Sequence, residues 1–322
     1  TGSASQLLLG FLMAVAVFVP LYGLFFYLST LSSEVALIGY GFVALLLWFL
    51  IGYAIYRARD FRLSRTLWRG IRCDQGGSAW NYAFRRFFWS LLVIVTIGLA
   101  YPFMAADLWR YRYRNSWYGD RRFGFTGSWK QLVGPYYLAY LAIVVIGVTA
   151  LGLVSSAERS PISGYATPET VAVLLVAALP AGLAVLWYQS REMSRMFSAI
   201  RLGQAALTVK VQARSLVGVY LSFAVGLSVS YFVLAVGGII VLGVLAAGAF
   251  AEGSFHPEVL MLSLQDSFSV LVAIIFGYLL LLGAFSLMVE LFLGLGLWKV
   301  VARGASITGL DSLGSVRARG ED

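Results

Sequence analysis

The chain has 322 residues, of which 60% are hydrophobic and 12% are charged, and it carries 24 Lys and Arg against 15 Asp and Glu. A soluble domain is typically about half apolar and about a quarter charged, so this composition argues against a soluble enzyme, a nucleic-acid-binding domain and a disordered protein. High apolarity with a basic balance indicates a membrane protein with cationic loops, and we expect no nucleic-acid partner.

Six apolar runs have the roughly 20 residues that a membrane-spanning helix requires. They are Leu7–Thr30, Val35–Tyr56, Leu132–Val154, Val171–Tyr188, Leu216–Phe250 and Ser267–Trp298. The first run is too long for a signal-peptide core, so we expect a retained helix, although a chain that begins at Thr1 without a methionine indicates processing or truncation. The fifth and sixth runs are longer than the bilayer requires, so they must tilt, break or project beyond it, and Gly237-Gly238 is the candidate break in the fifth.

A seventh run, Phe87–Ala106, lies between two arginine-rich connections, and the positive charges predict how it is placed. The basic connections are 57–86 with eight Lys and Arg, 107–131 with six, 189–214 with five and 299–322 with four, while Arg159 is the remaining one. If the run crosses the membrane, the charges divide nine against fifteen. If it enters and returns, 23 of 24 lie on one face, as the positive-inside rule favours.

We therefore predict an all-α polytopic membrane protein, with residues 1–322 forming a single integral membrane domain. It has about six transmembrane helices plus one re-entrant or interfacial segment that bends near Gly98 and Pro102, and the alternative is a seventh span. Short strand-like turns and the C-terminus lie in the cytoplasm. Alternation with period two in 122–126 and 206–211 predicts two of those strands.

Two basic connections share the pattern R-x-x-W-x-G-x-R. Its residues are Arg65, Trp68, Gly70 and Arg72 in the first copy and Arg114, Trp117, Gly119 and Arg121 in the second. Weaker echoes follow around Gly203 and Gly309. The pattern predicts a repeated unit in which a helix leaves the membrane and is followed by a glycine turn and a short strand. Convergence under similar interfacial constraints is the alternative.

Four arginines, Arg62, Arg65, Arg69 and Arg72, are spaced three, four and three residues apart. On a helix this spacing places them in one stripe, opposite an apolar face. We expect a basic amphipathic segment on the inner leaflet, whose arginines either contact anionic headgroups or only anchor the topology.

Glu290 is a carboxylate well inside the last apolar run. Because a lipid-facing charge at that depth is costly, it should face protein or water, paired with Arg86 or Arg110 or protonated. This residue is our candidate intramembrane site for a proton or cation, and a buried ion pair that braces the last helix is the alternative. Asp107 is expected to pair with Arg110 or Arg112.

Small residues recur every four positions in the fifth run. The ladder comprises Gly218, Ser222, Gly226 and Ser230. Small residues let helix backbones approach closely in lipid, so the ladder predicts a packing face within the bundle, with a dimer interface as the alternative.

Residues for catalysis and metal binding are scarce. The single cysteine, Cys73, and the single histidine, His256, exclude an internal disulfide and a His/Cys metal cluster. The chain has no nucleophile elbow, P-loop, dinucleotide fingerprint or zinc motif. We therefore expect no enzyme activity, no cofactor and no metal.

Three neighbouring segments carry a family resemblance. Residues Thr96–Phe103, Arg110–Asn115 and Gly119–Gly127 resemble the YjgN-like family of bacterial inner-membrane proteins, a domain of unknown function, with Ala100 in place of the usual aromatic residue and Phe103 in place of the usual tryptophan. The resemblance implies location in the bacterial inner membrane. It brings no activity or site residues, and it implies a membrane peptidase as a candidate partner.

Two functions remain as expectations. The re-entrant run, Glu290 and the glycine-rich long helices favour handling or transport of a lipid or small solute. The missing catalytic motifs, short outer loops and large basic connections favour a non-catalytic accessory or scaffold subunit of a membrane-protein assembly. Membrane lipids, with anionic headgroups on the cytoplasmic leaflet, are expected partners in both cases.

Overall fold

The computed structural model describes residues 23–157, 168–245 and 268–318, with positions 12, 16, 20 and 21. After helical residues 23–29 the helices are α1 (Ser33–Leu63), α2 (Ala79–Val95), α3 (Tyr101–Arg114), α4 (Lys130–Ala157), α5 (Pro168–Phe197), α6 (Ala213–Leu245), α7 (Phe268–Met288) and α8 (Leu295–Arg303). A π-helical segment, Val289–Gly294, joins α7 to α8, and a 3-10 helix, Leu310–Ser315, follows α8.

Five of the described helices are long and apolar enough to cross a membrane. They correspond to the second to sixth predicted apolar runs, so the prediction of a mainly helical chain with several membrane-length helices is confirmed at that level. The first run, Leu7–Thr30, lies largely outside the described residues, as do His256 and Arg159.

The predicted break at Gly237-Gly238 is wrong, because α6 continues through both glycines to Leu245. A glycine lowers helix propensity by only about 1 kcal/mol, whereas a broken helix in lipid would leave backbone groups without partners. The sixth run, and not the fifth, contains a departure from regular α-helix, because the π-helical segment separates α7 from α8.

The Phe87–Ala106 run is a helical hairpin and not one helix. An oxygen of Asp107 on α3 lies 3.3 Å from Arg85 on α2, and the Ser90 hydroxyl lies 4.0 Å from the Met104 sulfur. Moving five residues forward on α2 therefore moves three residues back on α3, so the two helices run antiparallel.

The reversal is made by the turn at residues 96–100. Ile97 and Gly98 both have positive φ, at 49° and 91°, and the Gly98 amide donates to the carbonyl of Val93 at 2.7 Å. Gly98 lies in this turn, because glycine adopts a positive φ without a steric penalty. Pro102 lies in the first turn of α3, where its missing N–H is not needed.

Within the described ranges, eight short strands form two four-stranded sheets, β1-β2-β3-β4 and β5-β6-β7-β8 in order. The strands are β1 (Leu67–Trp68), β2 (Ile71–Gln75), β3 (Ser116–Tyr118), β4 (Arg121–Arg122), β5 (Gly124–Phe125), β6 (Ile200–Leu202), β7 (Ala205–Val209) and β8 (Ala305–Thr308). Strands β2 and β3 are antiparallel, with Cys73 opposite Tyr118. Strands from two different basic connections are thus joined in one sheet.

The chain forms two compact units. The first consists of Thr1–Gly152, Arg191–Val209 and Ser306–Asp322, and the second of Leu153–Ser190 and Lys210–Ala305. Both sheets belong almost wholly to the first unit. One of its buried clusters contains Tyr118, Leu202 and Val316, so chain segments far apart in sequence share one core.

The arginine stripe predicted for one helix is corrected by the fold. Helix α1 ends at Leu63 with Arg62 in its last turn, while Arg69 lies in the β1–β2 turn with φ of 49° and Arg72 lies on β2. The helical period on which the stripe depended therefore ends at Leu63, and Gly70, at φ of 78°, makes the hairpin turn that follows β1.

Candidate functional site

The second unit contains a groove of about 860 Å³ between α6 and the segment that ends in α8. Residues that give the groove its character are Lys210, Gly218, Ser222, Phe292, Lys299 and Arg303. Lys299 and Arg303 are four residues apart on α8 and so share a face of that helix.

Two glycines bring the walls of the groove together. A Cβ at Gly304 would collide with the backbone carbonyl of Lys210, and the amide of Lys210 donates to the Gly304 carbonyl at 2.9 Å. A Cβ at Gly296 would lie 3.0 Å from the side chain of Val219 on α6. These close approaches hold the end of α8 beside the start of α6 and place Lys210 close to Arg303.

The groove changes polarity along its length. Lys210, Lys299 and Arg303 are exposed cations, and the part of the wall that the structure describes contains no carboxylate. Phe292 lies 11 residues before Arg303, which is about 16 Å along a helix. The arrangement offers positive charge at one end and apolar surface toward the other, which suits a phosphate or carboxylate joined to an apolar chain.

The small-residue ladder is divided between packing and the groove. A Cβ at Gly226 would lie 2.7 Å from the ring of Phe292, so this glycine makes a close helix contact. At Gly218 no described side chain or neighbouring backbone lies within 4 Å of the position that a Cβ would take, and Gly218 lines the groove together with Ser222. Ser230 donates to the carbonyl of Gly226 within its own helix. Among the described residues, only Gly226 of these four makes such a close contact with another helical segment.

Glu290 lies on the π-helical segment with an exposed side chain and is not part of the groove wall. Gly294, one turn on, makes room for it, because a Cβ there would lie 3.1 Å from the Glu290 carboxyl carbon. Among the described residues of the second unit Glu290 forms no ion pair, and its pairing with Arg86 or Arg110 stays a prediction. Arg110 donates to the carbonyl of Gly127 at 3.4 Å.

The tip of the α2–α3 hairpin is held by three tyrosines of α4, which the sequence analysis missed. The hydroxyls of Tyr136, Tyr137 and Tyr140 donate to three consecutive backbone carbonyls, those of Gly98, Leu99 and Ile97, at 2.7, 2.9 and 2.8 Å. The Gly98 carbonyl also accepts from the amide of Tyr101 at 3.0 Å, so the tyrosine hydroxyls add to the hydrogen bonds that the turn makes for itself. The sequence does show three tyrosines close together on α4, but it gives no indication of which backbone carbonyls their hydroxyls would contact.

Two carboxylates in the first unit each accept from a tryptophan. Asp107 accepts from Trp89 Nε1 at 3.0 Å and is paired with Arg85, not with the predicted Arg110 or Arg112. Glu192, which the sequence analysis overlooked, accepts from Trp109 Nε1 at 3.1 Å and from Tyr101 at 3.3 Å.

Four glycines of the repeated motif and its echoes adopt the same backbone conformation. Their positive φ angles are 78° at Gly70, 55° at Gly119, 59° at Gly203 and 74° at Gly309. Each follows a strand that comes after a helix. The tryptophans of the two full copies, Trp68 and Trp117, lie on β1 and β3, and Arg121 begins β4. In the second copy, Arg114 ends α3.

Comparison with known proteins assigns the family. The model of a family described as a bacterial protein of unknown function (DUF898) matches residues 1–231. Searches of curated proteins and of solved structures each found no match. The family match covers more than half of the chain and agrees with the YjgN-like resemblance, and the chain therefore belongs to this bacterial family of unknown function, DUF898.

Proposed function

We propose that this protein handles an anionic lipid, which it binds in the groove of the second unit. The observation that carries the proposal is the polarity of the groove, with three cations at one end and Phe292 and Val219 further along. A lipid phosphate would be held by Lys210, Lys299 and Arg303, and an acyl chain would follow the apolar wall. Phosphate contacts of this kind contribute about 1 kcal/mol for each nearby Lys or Arg.

The chain's lysines provide a matched test of the groove. Of the three lysines, Lys210 and Lys299 line the groove and Lys130 does not. Purified protein is equilibrated with equal phosphatidylglycerol and phosphatidylcholine, and retained lipid is counted by native mass spectrometry. The Lys210→Gln/Lys299→Gln variant should retain roughly 30-fold less phosphatidylglycerol, since about 2 kcal/mol is lost. Lys130→Gln should behave as the parent. Equal losses in both variants would contradict a groove site.

The proposed topology has six crossing helices, a re-entrant α2–α3 hairpin and a cytoplasmic C-terminus in the inner membrane. Its support is the pairing of β2 with β3, because strands before and after the hairpin cannot share a sheet across a bilayer. The β5-β6-β7-β8 sheet joins the second, third and fourth basic connections in the same way. All four connections then lie on one face, which agrees with the positive-inside rule.

Cysteine labelling tests this topology. In a Cys73→Ser background, Arg121→Cys on β4 and Glu169→Cys at the start of α5 are treated with an impermeant maleimide on intact cells. The Glu169→Cys protein should react from outside and the Arg121→Cys protein only after permeabilisation. Reaction of Arg121→Cys in intact cells would show that the hairpin crosses.

The role of Glu290 as a proton or cation site is a separate proposal. Its support is the π-helical segment, a geometry that often marks functional positions, together with a carboxylate exposed on a membrane-length helix. Lipid or proton flux is measured in liposomes with the parent and with Glu290→Gln. A lowered flux is expected, and an unchanged flux would remove Glu290 from the mechanism.

A non-catalytic subunit of a membrane assembly is the second candidate function. The observation for it is the folded strand region, which exposes the arginines of the hairpin turns, among them Arg69 and Arg121. These arginines also suit anionic headgroups of the cytoplasmic leaflet. Pull-down in mild detergent should recover a stoichiometric membrane partner, a membrane peptidase being one candidate, and its loss in an Arg69→Gln/Arg121→Gln variant would favour this function. No enzymatic step is proposed.

A further inference from the structure

A second cleft, of about 440 Å³, lies on the α2–α3 hairpin of the first unit. Its polar walls are Arg85, Asp107, Trp89 and Asn81, and its apolar walls include Phe84 and Phe88. Arg85 and Asp107 form an ion pair with N–O distances of 3.3 Å, and their side chains are 47% and 23% exposed. Unlike the groove, this cleft presents both signs of charge side by side.

Both charged groups have hydrogen-bonding capacity left for a ligand. Arg85 makes its two hydrogen bonds through Nη1, so Nη2 and Nε are not used by the described part of the chain. Asp107 accepts from Arg85 and from Trp89, whereas a carboxylate has about four acceptor sites. The cleft can thus receive an anion beside Arg85 and an N–H donor beside Asp107 at the same time.

The position of the ion pair on the hairpin suits a lipid headgroup. Arg85 lies 11 residues before the turn at residue 96, which is about 16 Å at 1.5 Å per residue. Half of a hydrocarbon core is about 15 Å, so a tip at the membrane centre places the pair at headgroup level. Phe84 and Phe88 are 50% and 63% exposed and, with Leu92, form an apolar stripe four residues apart.

We propose that this cleft binds the headgroup of a zwitterionic aminophospholipid, with the phosphate on Arg85 and the primary ammonium on Asp107. The choice of a zwitterion follows from charge complementarity, since an anionic lipid would meet the Asp107 carboxylate unfavourably. A choline headgroup has the same charges but no N–H to donate to Asp107, so it should bind less well. The proposal rests on the re-entrant placement of the hairpin and is independent of the groove.

Headgroup competition tests the proposal. Purified protein is offered equal phosphatidylethanolamine, phosphatidylcholine and phosphatidylglycerol, and retained lipids are counted by native mass spectrometry. The parent should prefer ethanolamine to choline by roughly tenfold, the value of one hydrogen bond between charged groups. Asp107→Asn, which keeps an acceptor for Trp89, should bring this ratio close to one. Arg85→Gln should lower retention of both lipids.

An ion pair elsewhere in the first unit serves as the matched control. Arg57 and Asp60 lie 3.0 Å apart on α1, outside the cleft, so Asp60→Asn should leave the ethanolamine-to-choline ratio unchanged. Added phosphatidylethanolamine should raise the melting temperature of the parent but not of Asp107→Asn, which separates loss of binding from loss of folding. Equal retention of ethanolamine and choline lipids by the parent, or an unchanged ratio in Asp107→Asn, would overturn the proposal.

Failure of this site is distinguishable from failure of the two proposals beside it. The groove is tested by the amount of phosphatidylglycerol that the Lys210→Gln/Lys299→Gln variant retains. The placement of the hairpin is tested by maleimide labelling of Arg121→Cys. An ethanolamine preference that disappears in Asp107→Asn while both other tests fail would support the cleft as a surface site, but would overturn its assignment to headgroup level.

Discussion

The hydroxyl of Tyr140 donates a hydrogen bond of 2.8 Å to the carbonyl of Ile97, a residue 43 positions earlier that has φ of 49°. A β-branched residue at positive φ is strained by about 1–3 kcal/mol and persists only where its surroundings hold it. Tyr136 and Tyr137 hold the next two carbonyls in the same way. The hairpin turn is therefore maintained by α4 and not by its own sequence alone.

Removing the three hydroxyls should loosen the hairpin. The Tyr136→Phe/Tyr137→Phe/Tyr140→Phe variant keeps the rings but removes the tyrosine donor from all three carbonyls. The carbonyl of Gly98 still accepts from the amide of Tyr101 at 3.0 Å, and a carbonyl left unpaired in an apolar medium costs about 1–3 kcal/mol. We expect faster hydrogen exchange in the segment around residues 96–100 and a lower melting temperature in detergent. Tyr278→Phe, an exposed tyrosine of α7, is the control. Equal exchange in the triple variant and the parent would show that the hydroxyls do not support the turn.

Substitutions at the two positive-φ residues of the turn should act in opposite directions. Ile97→Gly removes strain of about 1–2 kcal/mol and adds roughly 0.5–1 kcal/mol of backbone entropy loss, so a small gain in stability is expected. Gly98→Ala puts a Cβ at φ of 91°, at 3.3 Å from the Tyr136 hydroxyl, and should destabilise. Thermal unfolding of both variants in one detergent makes the comparison, and a change of the same sign in both would be inconsistent with a strained turn.

Two glycines of the α6 ladder offer a matched pair. Gly226→Ala places a Cβ 2.7 Å from Phe292, so Phe292 or α6 must shift, and we expect a loss of roughly 1–3 kcal/mol. Gly218→Ala meets nothing within 4 Å and gains helix propensity, so stability should stay equal or rise by up to about 1 kcal/mol. Thermal unfolding is the measurement. If Gly218→Ala lost more stability than Gly226→Ala, Gly218 would have to be in close contact with another part of the protein, and the groove would not be open at that position.

The thiol of Cys73 should react slowly at neutral pH. Cys73 is half-buried on β2, and burial raises the pKa of its thiol above the ordinary value. Since the thiolate is the reactive form, the maleimide rate should rise at higher pH than for Arg121→Cys in a Cys73→Ser background. The unfolded thiol ionises first as pH rises, so this residue's contribution to stability is lost as pH passes its folded pKa. Coincident pH curves would contradict a buried thiol.

Charge distribution and residue type along the chain predicted the larger features. The distribution of 24 Lys and Arg predicted that Phe87–Ala106 returns to its starting face, which stays a prediction, and the pairing of β2 with β3 is a second, independent argument for the topology that we propose. The turns at Gly70 and Gly119 could be predicted from sequence, because both need a positive φ and glycine adopts that conformation most readily. Such features depend on neighbours in sequence and can be predicted from it.

Contacts between distant segments could not be predicted in the same way. The arginine stripe assumed a continuous helical period, but the helix ends at Leu63 and the chain continues as the β1–β2 hairpin. The Tyr140 hydroxyl donates to the carbonyl of Ile97, which lies in the turn of the α2–α3 hairpin, and Asp107 pairs with Arg85 on the neighbouring helix α2. Apolar length and basic charge therefore determined that this chain has membrane-length helices and where its connections fall. Only tertiary packing decided which polar groups meet, because in an apolar medium each buried donor and acceptor must find a partner wherever the fold brings one within reach.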